Sequence, residues 1–288
     1  MKAKYPAIAK LQYPHYWLLA IGAGVIAIHL TLVWKSNNSS LFGTGLLFWM
    51  AVSFLIWERR HKLNLRSDIF SSLLGISLIA LLLLKSSAMN SFAGFLYLSP
   101  FVYALGLGLL ASGWRGLKQY SGELIVLLSL GAPTLLPFGV KNIAPFTAKV
   151  SAFILWYTGF DVERRGVFIY LPGGSIEVAS GCSGIELIFQ MLGLALLFLI
   201  VFPQKWQQKI ILPIVAALLG FFVNGVRVAL MAVLVANSNG APKVFDYWHH
   251  GDGSLIFSTI SVTLLGLFCW LILEQNQTKH SKTQSLPR

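Results

Sequence analysis

The chain has 288 residues, of which 56% are hydrophobic and only 11% charged. That leaves too little polar surface to coat a soluble domain, so composition places it among integral membrane proteins. The formal net charge of +12 would suggest nucleic acid in a soluble protein. Here the basic residues sit in short loops between apolar runs, where they orient a chain against a membrane. Eight runs reach or approach the ~20 residues a bilayer core requires. They cover residues 15–34, 41–57, 69–84, 92–111, 124–138, 183–202, 210–236 and 254–273. The first follows Lys2, Lys4 and Lys10 but is long enough to span, so it reads as a span and not as a cleaved leader. Pro133 and Pro137 weaken the fifth. The expected fold class is an all-α integral membrane protein organised as one membrane domain. Residues 1–120 hold the N-terminal spans, 121–273 the spans that carry chemistry, and 274–288 a basic, disordered tail.

Basic residues are dense at the N-terminus, in the 58–68, 112–120 and 203–209 loops and in the tail. They are sparse at 35–40 and 86–91. The alternation predicts cytoplasmic termini, with segments 139–182 and 237–253 on the outer side. Within the first of these, Phe146, Val150, Phe153, Ile154 and Tyr157 recur at helical spacing. Residues 144–157 are expected to form an amphipathic helix lying on the outer membrane surface. Residues 167–171 and 175–179 flank Pro172-Gly173-Gly174 and read as a short β-hairpin. No internal repeat is visible, which argues against an inverted-repeat transporter.

The hairpin leads into Ala179-Ser180-Gly181-Cys182-Ser183-Gly184-Ile185-Glu186, at the mouth of the sixth span. Glycines on both sides of Cys182 let another chain approach the sulfur, and a helix start favours a thiolate. A free cysteine is also simply a small residue that packs well. Cys182, Glu186 and Gln190 stand four apart, which would place them on one face of a helix turned to the interior of the bundle. For Gln190 a purely structural part is the simpler one.

In the seventh span, Arg227 lies about nine residues from the outer end, ~13 Å deep, with Asn224 one turn away. That depth makes snorkelling to the interface awkward and points to a buried, paired arginine, for which Glu186 is the counter-ion by depth. Before the eighth span stands Tyr247-Trp248-His249-His250-Gly251-Asp252-Gly253-Ser254. Tyr247 and Trp248 suit the interface. The two histidines lack the spacing of a metal site, so no metal or other cofactor is expected. A histidine near a thiol is a general base for nucleophilic catalysis. Three separate segments thus bring a nucleophile, a cation and a base to one leaflet. Cys269, about 22 Å below the outer end of its span, is too deep to bridge with Cys182, since a disulfide needs Cα atoms within about 7 Å. It reads as packing.

Three stretches resemble the motifs of the exosortase/archaeosortase family: residues 179–185, Asn224-Gly225-Val226-Arg227, and the His249, Gly253, Phe257 series. The resemblance covers mainly residues 120–273. The Gly-Asp-Gly-Ser after the histidines looks most like the cyanobacterial branch, the cyanoexosortases. The resemblance implies a membrane cysteine protease-transpeptidase acting on exported proteins that carry a C-terminal Pro-Glu-Pro type signal, a membrane helix and a basic tail. In it Cys182 would be the nucleophile, His249 the acid/base, and Arg227 the group stabilising the thiolate or the oxyanion. Glu186, Asn224, His250 and Gly253 would support them, with His250 the other residue able to serve as acid/base. The expected partners are such exported proteins and the bilayer, with no nucleic acid and an unspecified acceptor. Two other classes remain open from the residues alone. One is a transporter using Glu186, Arg227 and the histidines as a path; the other is a non-catalytic partner in polysaccharide export.

Overall fold

A computed structural model describes residues 14–87, 93–136, 143–237, 247–249 and 251–284. The helices are α1 (Pro14–Lys35), α2 (Ser39–Arg59), α3 (Ile69–Ser87), α4 (Ala93–Gly116), α5 (Ser121–Leu135), α6 (Ala144–Tyr157), α7 (Ile185–Val201), α8 (Trp206–Asn237) and α9 (Asp252–Gln284). Three short strands, β1 (Glu163–Arg165), β2 (Phe168–Leu171) and β3 (Gly174–Glu177), form one antiparallel sheet in that order. This is an all-α membrane protein with a small sheet.

Among the described residues, seven segments are long and apolar enough to cross a membrane. One of them, Gly94–Leu135, has 42 residues, which as a straight helix would be ~63 Å, twice a bilayer core. It is in fact α4 and α5, joined by a 3-10 turn over Leu117–Tyr120. Gly131 near the end of α5 packs on Leu98 near the start of α4, so the two run antiparallel. Counted separately they bring these segments to eight apolar helices among the described residues, with α5, at 15 residues, the shortest of them. The surface is inside out relative to a soluble protein. Trp17, Phe54, Phe70, Leu84 and Trp270 face outward, while His29, Glu123, Gln190, Asn224 and many serines are buried. Outward apolar side chains cost nothing in lipid, and buried hydroxyls and small residues let helices approach closely.

The chain divides into two compact units after residue 135. In the first, α3 and α4 touch backbone to backbone, since a Cβ on Gly75 would stand 2.6 Å from Gly106 O. His29 of α1 bonds Leu96 O of α4 (3.1 Å) and accepts from Trp49 Nε1 of α2 (3.2 Å). Arg59 of α2 pairs with the buried carboxylate of Glu123 on α5. That pair and the α4–α5 packing tie α5 to the first unit, although the sequence groups it with the spans that follow.

The second unit comprises α6–α9 and the sheet. The hairpin forms where Pro172-Gly173 suggests, with Leu171 opposite Gly174 and Ile169 opposite Ile176. Ile169 and Ile176 point into the core while Phe168 and Tyr170 face out. Strand β1 adds a third member that the sequence reading does not foresee. Helix α6 forms over the residues expected of the amphipathic helix, Ala144–Tyr157. Its aromatic side, with Phe146, Phe153 and Tyr157, does face away from the protein. The opposite side, however, does not meet water. Ala144, Thr147, Ala148, Ser151 and Leu155 are buried, and Ser151 Oγ donates to Gly225 O of α8 (2.9 Å). At the C-terminus α9 continues helical to Gln284, past the expected end of the eighth span at residue 273 and through most of the polar stretch read as a disordered tail.

Candidate active site

Cys182 ends a 3-10 turn, Ser180–Cys182, that links β3 to α7. The turn is fixed at both sides. Upstream, Val178 N–H donates to Val167 O (2.9 Å) and Cys182 N–H to Ala179 O (2.9 Å). Downstream, Thr147 Oγ1 of α6 donates to Ser183 O (2.7 Å) and Asn224 Nδ2 of α8 to Cys182 O (2.9 Å). Gly184 then starts α7 at φ +88°, the left-handed region that favours glycine. A Cβ there would also lie 2.6 Å from Asn224 Nδ2, so no side chain fits.

This break alters one expectation. Because α7 begins only at Ile185, Cys182 is not on its helical face. Gln190 is buried, as foreseen, but Glu186 between them is exposed. The three do not form a continuous inward stripe. The sulfur itself is enclosed, with Cys182 only 5% exposed in a cluster with Ile176, Val178, Val228 and Ala229. Both cysteines are free, and Cys269 belongs to a different cluster with Leu187, Met191 and Leu265.

His249 reaches the sulfur from the other side of the sequence. Residues 247–249 make one helical turn, and His249 Nε2 stands 2.5 Å from Cys182 Sγ. The glycine four residues on has a physical reason. A Cβ on Gly253 would lie 2.6 Å from the Trp248 ring, and that ring meets Phe257 edge-on at 6.0 Å. Gly253 and Phe257 thus seat Trp248, the residue that precedes the histidine. Trp248 packs against the cluster that holds Cys182 and is half-buried, where the sequence suggests an interface aromatic. Nothing in its spacing would have revealed this.

Arg227 is half-buried on α8. Its Nε donates to Trp248 O (3.1 Å) and its Nη2 to His249 O. The guanidinium therefore grips the backbone of the turn that carries the histidine. His250 lies outside the described residues. Among the described residues no three His, Cys, Asp or Glu side chains gather as a metal site would require.

This geometry joins the three stretches that the sequence singles out. The sequence also matches, over residues 34–266, the family described as Transmembrane exosortase (Exosortase_EpsH). The chain belongs to the transmembrane exosortase family. The match starts in the first span, so the exosortase pattern extends well beyond residues 120–273, where the motifs lie. A segment of 107 residues is 35% identical to a probable archaeosortase E of Methanocaldococcus jannaschii. It takes up 37% of this chain and 54% of that protein, so the chain spans about half the length of this relative. No solved structure matches. Cys182, Arg227 and His249 of this exosortase all fall within the matched residues 34–266.

Proposed function

We propose that this exosortase is a membrane-embedded cysteine protease-transpeptidase. It cleaves C-terminal sorting signals of exported proteins, of the Pro-Glu-Pro type with a following membrane helix and basic tail, and passes the protein to an acceptor. The observation that carries the reading is the direct contact of Cys182 Sγ with His249 Nε2. A thiol paired with an imidazole is a nucleophile with its base in place. The imidazole takes the thiol proton as sulfur attacks the scissile carbonyl. The resulting oxyanion collapses, the C–N bond breaks, and His249 returns the proton to the leaving amine. The signal peptide departs and a thioester on Cys182 remains. An acceptor nucleophile then attacks the thioester carbonyl, giving its proton to His249, and the C–S bond breaks as His249 returns that proton to the departing sulfur. Arg227 holds the main-chain carbonyls of Trp248 and His249 beside this reaction centre. Glu186, Asn224, His250 and Gly253 support it.

The Gly-Asp-Gly-Ser at 251–254 supports placing the protein in the cyanobacterial branch. The alternation of basic loops supports cytoplasmic termini and a site on the outer side. Single cysteines introduced at Asn37 and Tyr247 are expected to react with an impermeant maleimide from outside, and one at Lys62 only after lysis. The reverse pattern would put the site on the wrong face for exported substrates. For the activity, co-expression with a protein bearing such a signal should yield a product lacking its C-terminal helix. An uncleaved substrate in the presence of well-accumulated enzyme would count against the proposal.

A further inference from the structure

The nucleophile and the histidine are 67 residues apart in sequence, and neither stands on a long element. Cys182 is on a 3-10 turn and His249 on a single helical turn. What they share is one turn of α8. Asn224 donates to the main-chain carbonyl of Cys182, and three residues later Arg227 donates to the main-chain carbonyls of Trp248 and His249. Residues three apart lie on the same side of a helix. Asn224 is 1% exposed and Gly184 closes directly on its side chain, so its position is tightly set. A guanidinium suits its own task, because its planar fork offers two donors to two successive carbonyls, which an ammonium on a flexible stem does not reproduce.

We infer that this turn of α8 is the device that aligns the pair, with Asn224 and Arg227 as positioning residues that set the Cys182–His249 contact through the backbone. The inference rests on the peptidase reading for its significance, but not for its geometry. It assigns Arg227 a part different from that of a through-space charge on sulfur or oxyanion. The arginine acts through His249, and its effect on the thiol vanishes when the imidazole is gone. Misplacement of a reacting group by about 1 Å is enough to cost about 100-fold in rate, so the hold matters even where the fold survives.

The test is a double-mutant cycle on the full-length protein in membranes, carrying Cys269→Ala so that Cys182 is the only thiol. The reading is the rate of Cys182 alkylation by iodoacetamide across pH, which needs no substrate. His249→Gln and Arg227→Gln are each expected to slow alkylation near pH 7 about tenfold or more, since the thiol loses the aligned base that takes its proton. The double variant should be no slower than His249→Gln alone, within about twofold. Asn224→Asp, which keeps shape but loses the donor, should follow the same rule. Arg227→Lys should rescue little. Equal slowing by Arg227→Gln with and without the imidazole would overturn the inference in favour of a direct charge effect. So would unchanged reactivity in both Arg227→Gln and Asn224→Asp, and so would failure of both proteins to accumulate, which would make the residues purely structural. An intact cycle combined with undiminished substrate cleavage by Cys182→Ala would leave the alignment standing and sink the peptidase reading alone.

Discussion

Cys182→Ala is expected to abolish release of the C-terminal helix from a co-expressed signal-bearing protein, with a loss of about 10⁴-fold or more and no drop in enzyme level. The two effects separate because they differ in size. Removing the nucleophile closes the covalent route altogether, and at ~1.4 kcal/mol per tenfold a 10⁴-fold loss is more than 5 kcal/mol of barrier. Removing one sulfur from the cluster around Ile176 and Val228 leaves a cavity worth about 1 kcal/mol of stability. Cys182→Ser should also be severely impaired, since the hydroxyl is a far weaker nucleophile than a thiolate at neutral pH. Cys269→Ala serves as the matched control. It removes the same atom from the cluster around Leu187 and Leu265, at similar structural cost and with near-normal processing. A transporter would need no thiol at position 182 and would tolerate Cys182→Ser. Cleavage by the Cys182→Ala protein, quantified by immunoblot of the substrate, would end the covalent mechanism.

The spans were legible because lipid imposes a strict rule, ~20 apolar residues per crossing, and composition alone enforces it. Ends were less legible. The polar residues from Trp206 to Lys209 start α8 four residues before its apolar run, because helix continues where hydropathy stops. The hairpin announced itself through Pro172-Gly173, whereas β1 is three charged residues that no pattern marks as strand. For α6, periodicity found two faces but assumed the water–lipid contrast of a surface helix. In fact Thr147 and Ser151 spend their hydroxyls on the carbonyls of Ser183 and Gly225, so the polar face meets protein. The spacing of Cys182, Glu186 and Gln190 misled because spacing presumes an unbroken helix, and the positive φ of Gly184 leaves no trace in it. Residue types singled out Cys182 and His249, and the fold brings these two side chains into contact. Main-chain acceptors, such as those that receive Asn224 and Arg227, cannot be read from residue types at all.

His249→Gln is expected to lower processing by about 10²–10⁴-fold, the range for removing a positioned general acid/base. His250→Gln should remain within a few-fold of the unmodified enzyme. The choice between two adjacent histidines follows from the contact of His249 Nε2 with the sulfur, which only one ring at a time can make. Glutamine keeps bulk and polarity but cannot take up a proton near neutral pH, so it isolates proton transfer from shape. The variant should also stay folded. Arg227 holds the carbonyls of Trp248 and His249, and Trp248 remains seated on Gly253 and Phe257; none of these contacts uses the imidazole. A loss of activity with normal accumulation therefore reports on chemistry. Initial rates of substrate cleavage for the two variants, each normalised to enzyme level, decide the matter. Should His250→Gln be the inactive one and His249→Gln the active one, the acid/base is His250, and the imidazole against Cys182 has no part in moving the proton.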